Sequence, residues 1–281
     1  MKKGVRNFLF WTAAILITIA AAMYQRTTGP TYPLKTKVQI DGNEYKLALK
    51  RSQNLEYDCK IALKNLPEAI EGKIIYRPYP TEQDWQEIEF QKTENELIAI
   101  LPTQPAAGKL EYYVELNYKS EIIKVNPDKP AIIRFKGDVP AGFMIPHVLI
   151  MFLAMLFSNL TGLMAAFRDD RFRKYLNISF ILLIAGGLIL GPIIQKYAFG
   201  AYWTGFPNGM DLTDNKTLIV ILVYALAVIF NIKKKRAWLA LVAALALLLV
   251  YSIPHSLMGS EFNHETGEVV TGMIMLFPIL R

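Results

Sequence analysis

Five stretches of this chain, residues 8–23, 144–167, 176–194, 218–232 and 237–253, run almost without charge. A backbone in hydrocarbon finds no water, so it must satisfy its own hydrogen bonds. Within a single segment only a helix does that. About 20 apolar residues cross the roughly 30 Å of a bilayer interior as helix, and most of the five approach or reach that length. Residues 218–232 fall short and need Thr217, Asn231 or the following lysines to finish the crossing. The mean hydropathy of +0.25 fits this pattern. The spacing therefore predicts an α-helical transmembrane bundle of five helices.

Charge orients the bundle. The formal net charge is +7, which by itself would invite a nucleic-acid reading. Its placement argues against one. Lys2, Lys3 and Arg6 precede the first apolar run, and Arg168, Arg171, Arg173 and Lys174, with Asp169 and Asp170, follow the second. Lys233, Lys234, Lys235 and Arg236 fill the turn between the fourth and fifth. Residues 24–143 carry 17 basic and 17 acidic side chains, so no domain holds the excess and no nucleic-acid partner is expected. Basic residues in short loops beside spans mark the cytoplasmic face. An odd number of spans puts all three segments on that face. The expectation is a multi-pass protein of a cytoplasmic (inner) membrane, with the N-terminus inside and residues 24–143 exported.

The first apolar run admits two readings. It is either an uncleaved anchor over 1–24 or a signal peptide ending near Ala20-Ala21-Ala22. Cys59 is the only cysteine, so no internal disulfide forms, and its alternating setting CKIALKNL suits a buried structural thiol.

Between Thr36 and Lys136 the period changes to two. TKVQI, EYKLALK, CKIALKNL, GKIIYRPY, WQEIEFQK, ELIAIL, KLEYYVELNY, EIIKV and AIIRFKG read as strands separated by turn residues. Seven to nine such strands predict an inserted, extracytoplasmic, antiparallel all-β sandwich over 31–138. The stretch ELIAILPTQPAAGKLEYYVEL resembles the sixth-strand region of fibronectin type III and related immunoglobulin-like domains. The resemblance implies a sandwich fold with Tyr112 or Tyr113 as a corner tyrosine, and it implies no chemistry. The aromatic-rich YRPYPTEQDW (76–85) is either a recognition loop or a hairpin whose aromatics pack locally.

The remaining segments are a four-helix transmembrane domain over 143–253 and a polar tail over 254–281 with an apolar end. Ile-Pro-His occurs twice, at 145–147 and 253–255. The first copy opens an inward-running span, where Pro146 suits a first helical turn, and the second closes an outward-running one. Both His147 and His255 are therefore expected at the outer boundary. The long loop 197–217 and the tail with Glu261 and His264 are expected there too. Asp211 or Asp214 suits a cap of the fourth span. Each histidine also suits a plain interfacial side chain or a hydrogen-bonded structural cluster. The sharper reading joins His147, His255, Asp211, Asp214, Glu261 and His264 into a site. Imidazoles with carboxylates suit a divalent metal such as Zn²⁺, Mn²⁺ or Fe²⁺, and two histidines from adjacent helices suit haem.

Within the spans, SNLTG (158–162) offers close helix packing and interhelical hydrogen bonds, and GGLILGP (186–192) a smooth face and a kink. No nucleophile motif, phosphate loop or deep intramembrane charge stands out, which disfavours an ion-coupled transporter. Two functions remain open. One is a non-catalytic accessory, assembly or partner-binding subunit, seated in the lipid bilayer and displaying its sandwich to a membrane or periplasmic protein. The other is a metal- or haem-binding protein with an outer-face site, serving redox chemistry.

Overall fold

The computed structural model describes residues 2–270 except Asn95, 256–258, Glu265 and Glu268. The apolar stretch 271–281, expected to be interfacial or re-entrant, lies outside the described residues. Two compact units emerge: residues 2–29 with 139–259 form a helical unit, and Pro30–Asp138 with Ser260–Val270 form a separate, mostly-β unit.

In the helical unit, α1 spans Lys3–Thr28, and it is followed after the β region by α2 (Ala141–Ala166). Next comes one continuous rod built of α3 (Phe172–Leu183), a π-helical stretch (Ile184–Leu190) and α4 (Gly191–Phe199). The last two are α5 (Leu212–Lys233) and α6 (Ala237–Ser252). Four rods, of 26, 26, 28 and 22 residues, are long and apolar enough to cross a membrane, consistent with a multi-pass membrane protein. At 16 residues α6 is shorter and rises only about 24 Å.

Helix boundaries differ from the apolar runs in instructive ways. The second helix begins at Ala141, and Pro140, not Pro146, stands at its threshold: Pro140 O accepts from Phe143 and Met144. Pro146 lies inside α2. The fourth helix takes in the polar residues TDNKT, because Asp211 caps it by accepting from the Thr213 amide at 2.8 Å. That gains the crossing length that 218–232 lacked. The expected kink in GGLILGP is a widened π turn, in which the Gly191 amide donates to Gly186 O five residues back. Pro192 explains the register change, since it lacks the N–H that an α-helical turn would aim at Leu188.

Helix α2 packs on α1, α3 and α6. A Cβ on Gly162 would come within 2.9 Å of Ala244 Cβ, so glycine sets the α2–α6 approach. Asn159 donates to Thr18 at 3.0 Å and Tyr224 donates to Ser158 at 2.6 Å, tying α2 to α1 and α5. Thr161 instead bonds its own helix, at Phe157 O.

One end of this unit gathers the three basic segments. Asp169 accepts a bidentate pair from Arg171, both at 2.9 Å, and a third bond from Arg6 at 2.9 Å. Arg171 also reaches Asn7, Arg173 reaches Ile232 O, and Lys235 pairs with Asp170 at 2.5 Å. The start of α1, the α2–α3 turn and the α5–α6 turn are thus laced together.

The β unit contains β1 (Leu34–Ile40), β2 (Asn43–Leu49), β3 (Ser52–Asn54), β4 (Cys59–Lys64), β5 (Glu71–Pro78) and β6 (Gln86–Glu89). It continues with β7 (Gln91–Lys92), β8 (Glu96–Leu101), β9 (Lys109–Tyr118), β10 (Glu121–Val125) and β11 (Ala131–Lys136). All nine expected segments form strands, and WQEIEFQK divides at Phe90. Its first half pairs with β5 and its second with β8, so this segment switches sheets. The largest sheet runs β3-β11-β9-β5-β6 with β10 also on β9; β4-β8-β7 and β1-β2 complete the set. Pairing is antiparallel except between β11 and the short β3. The inward residues of these sheets share one core, including Leu49, Cys59, Leu63, Ile74, Leu110 and Phe135. Burial holds the Cys59 thiol up at about 11, so it stays protonated and inert. Two hairpin turns have positive φ at both central residues. Asp41-Gly42 joins β1 to β2, and Lys119-Ser120 joins β9 to β10 without a glycine.

Tyr112 is fully buried, and its hydroxyl donates to Lys50 O at 2.8 Å. That partner lies 62 positions upstream, so the bond spans strands rather than closing a local corner. In YRPYPTEQDW, Arg77 stacks on Trp85 at 4.4 Å and pairs with Glu111, while Trp85 meets Tyr113 edge-on. Arg77 and Trp85 thus pack on each other and against β9.

The tail returns to the β unit as a hairpin, β12 (Glu261–Phe262) with β13 (Val269–Val270). Glu261 pairs with Lys109, Arg134 donates to Ser260 O, and the Phe262 amide donates to Ala107 O at 3.3 Å. Burial holds the Lys109 ammonium below its ordinary value, with Glu261 opposing the effect. His264 bonds the backbone of Tyr79, and burial lowers its pKa.

Two predictions follow from these ion pairs. Hydrogen bonds from Arg171, with the charges of Arg171 and Arg6, hold the Asp169 carboxyl at about 2. A depressed carboxylate stabilises the fold above its unfolded pKa and loses that contribution as pH falls toward 2. Asp169→Asn should cost at most about 2 kcal/mol at pH 7, the exposed arginine partners reducing it. In thermal unfolding of detergent-purified protein, the gap between wild type and variant should close between pH 4 and pH 2. Glu261→Gln leaves Lys109 buried without a counter-charge, so hydrogen exchange over 260–270 should rise by an order of magnitude or more while β4 and β8 stay protected.

Candidate polar site at one end of the helical unit

Away from the basic end, the start of α2, the π stretch, the start of α5 and the end of α6 bring polar groups together. His147 lies in the second turn of α2 and its Nδ1 sits 3.0 Å from Gly186 O. A carbonyl only accepts, so Nδ1 carries a proton, and in the neutral ring Nε2 keeps a lone pair. The π register supplies the partner. A Cβ on Gly186 would lie 2.6 Å from Met151 Sδ, and one on Gly187 would lie 2.9 Å from Thr217 Cγ2. Paired glycines thus admit α2 on one side and α5 on the other.

Lys216 is the residue that the reading of the sequence passed over. It is 4% exposed, and its ammonium donates to Ile253 O at 2.6 Å and approaches Pro254 O at 3.5 Å. Those carbonyls end α6 and have no intrahelical partners of their own. A cation at a helix C-terminus is the favourable sign for the dipole. Asp211 lies within electrostatic reach of Lys216. His255, next after Pro254, lies within electrostatic reach of Lys216 and His147, and its ring meets Tyr251 edge-on. The two Ile-Pro-His copies therefore lie toward the same end of the helical unit. The signal for Lys216 was its place: a lysine five residues past a capping aspartate, two before the start of LIVILV, is inside the helix.

The loop between α4 and α5 folds over the start of α5. Asp214 accepts from the Thr204 amide at 2.7 Å, the Gly205 amide at 3.0 Å and the Thr204 hydroxyl at 3.2 Å. Gln195 donates to the same hydroxyl at 2.5 Å, and Asn215 Oδ1 accepts from the Phe206 amide at 2.7 Å. Asp211 caps α5, and its own amide donates to Thr204 O. Both aspartates are consumed in holding this loop.

Of the six residues proposed for a metal or haem, His147, His255, Asp211 and Asp214 lie in the helical unit, and Glu261 and His264 lie in the β unit. Among the described residues, no group of three or more His, Cys, Asp and Glu is arranged to hold a metal ion. Lys216 supplies a reason. Its ammonium lies within electrostatic reach of His255, where it opposes a second cation. The arrangement suits hydrogen bonding between helix ends.

No family model matches the chain, and neither the curated proteins nor the solved structures contain a match.

Gly205 tests the loop's architecture. A Cβ there would sit 2.5 Å from Asp214 Cβ and 2.8 Å from Asn215 Oδ1. Gly205→Ala should destabilise the helical unit by roughly 1–3 kcal/mol. Gly4→Ala, where nothing lies within 4 Å, should show no loss in the same thermal melt.

Proposed function

We propose that this chain is a multi-pass protein of the cytoplasmic membrane with its basic helix ends in the cytosol and its β unit on the opposite side. There it serves as a non-catalytic accessory or partner-binding subunit. The observation that carries the orientation is the segregation of charge within the helical unit. Arg6, Arg171, Arg173 and Lys235 are laced together at one end, and His147, Lys216 and the capping aspartates occupy the other. Short basic loops stay on the cytosolic side during insertion. The exported sandwich resembles fibronectin-like domains in its alternating strands, and the open edge at β6 suits strand-wise recognition of a partner. The polar groups at the opposite end support a structural role, since each aspartate and Lys216 is bonded within the unit.

A second reading keeps one favourable observation. A histidine whose Nδ1–H is fixed on a carbonyl presents Nε2 as metal ligands do. Elemental analysis and an optical spectrum of purified protein decide it. Stoichiometric metal or a Soret band, lost in His147→Ala and His255→Ala, would overturn the non-catalytic assignment.

Orientation is tested with single cysteines in a Cys59→Ser background. Lys46→Cys in β2 should react with a membrane-impermeant maleimide in intact cells, whereas Lys234→Cys should react only after lysis. The reverse pattern would sink the proposed topology.

A further inference from the structure

The basic end of the helical unit holds more charge than its ion pairs consume. An open groove of about 550 Å³ lies between the end of α2 and the start of α6. Arg168, Lys234, Lys235 and Arg236 line it, with Trp238 and Leu241 on the α6 side. Lys235 is partnered by Asp170 at 2.5 Å, and the Arg236 guanidinium lies over the Phe230 ring at 5.3 Å. The side chains of Arg168 and Lys234 make no hydrogen bond or ion pair with any described residue, and both are exposed. Among the described residues no carboxylate lines the groove: Asp169 is turned to Arg6 and Arg171, and Asp170 to Lys235. The wall beneath the charges is apolar. Ala165 and Ala166 keep it open, while Trp238 is 62% exposed beside it. Tryptophan at that level is the habitual residue of a membrane–water interface.

We propose that this groove binds the headgroup of an anionic phospholipid, its phosphodiester held by Arg168 and Lys234 and its acyl chain lying along Trp238 and Leu241. A phosphate oxygen accepts charge-assisted bonds from both cations, and Arg168 matches it with two parallel N–H groups. The adjoining apolar wall distinguishes a lipid from a free anion, because only a lipid covers Trp238 and Leu241. Basic pockets between helices at a cytosolic boundary bind such headgroups for these reasons. The inference rests on the multi-pass reading in that the helices must meet lipid, and it does not depend on which compartment the basic end faces.

Native mass spectrometry of detergent-purified protein tests it, with phosphatidylglycerol and phosphatidylcholine as probes. The wild type should retain phosphatidylglycerol in preference to phosphatidylcholine. Arg168→Gln with Lys234→Gln should lower that retention on the order of tenfold or more. Lys2→Gln with Lys3→Gln removes the same charge outside the groove and should leave retention unchanged, and both double variants should melt as the wild type does. Equal losses in the two double variants would reduce the effect to general surface charge and overturn the site. So would retention without headgroup preference, or displacement of the lipid by an equal concentration of inorganic phosphate. If the Lys46→Cys and Lys234→Cys labelling instead came out reversed while the lipid preference held, the orientation would fall and this site would stand.

Discussion

A polar group that leaves water must meet another polar group, and in the helical unit this requirement decides which helices touch and where. Lys216 has an ammonium inside an apolar assembly, and it meets the carbonyls of Ile253 and Pro254 that close α6. Those carbonyls in turn have no amide left in their own helix. Each side's deficit is met by the other, so the start of α5 is fixed against the end of α6. His147 and Gly186 repeat the arrangement between α2 and the π stretch. Asp214 repeats it between α5 and the loop above it, where three donors converge on one carboxylate.

The other end solves the same problem with charge. Asp169 is the one buried anion among several cations, and it draws Arg6 and Arg171 from segments 163 and 2 positions away. Removing it would leave guanidinium groups facing each other. Between these two ends the contacts are of a different kind. Small residues such as Gly162, Gly186 and Gly187 let helices approach until single methyl groups would collide. Directional bonds therefore sit near the ends and steric fit occupies the middle, where there is nothing polar to pair and close packing holds the helices.

The β unit answers the same requirement through ladders. Its backbone groups pair strand to strand, its apolar side chains fill one core, and two ion pairs set charge against charge: Arg77 with Glu111, Lys109 with Glu261. The second pair is the more consequential, because Glu261 belongs to the segment that follows α6. The chain thus returns to the β unit after completing the helices.

Residue order alone was enough for the apolar runs, for the nine alternating segments and for the three basic segments, since each depends on local period and composition. It was enough for Asp211 as a cap as well, because capping is settled within one helical turn. Other features required distant parts to be placed. Lys216 read as loop because the apolar run began after it, and only the carbonyls of Ile253 and Pro254 make its burial tolerable. The π stretch depends on Pro192, a local cause, but its use depends on His147, 39 positions upstream. WQEIEFQK carries one continuous alternation, and its division between two sheets follows from which strands lie beside it. Glu261 and His264 looked like neighbours of the helix-end histidines because they follow them in sequence. Folding assigns them to the β unit, where Lys109 and the Tyr79 backbone stand as partners. Period and charge are properties of adjacent residues and survive in the sequence; partnership between buried polar groups belongs to the packed chain, because only packing decides which groups lose water together.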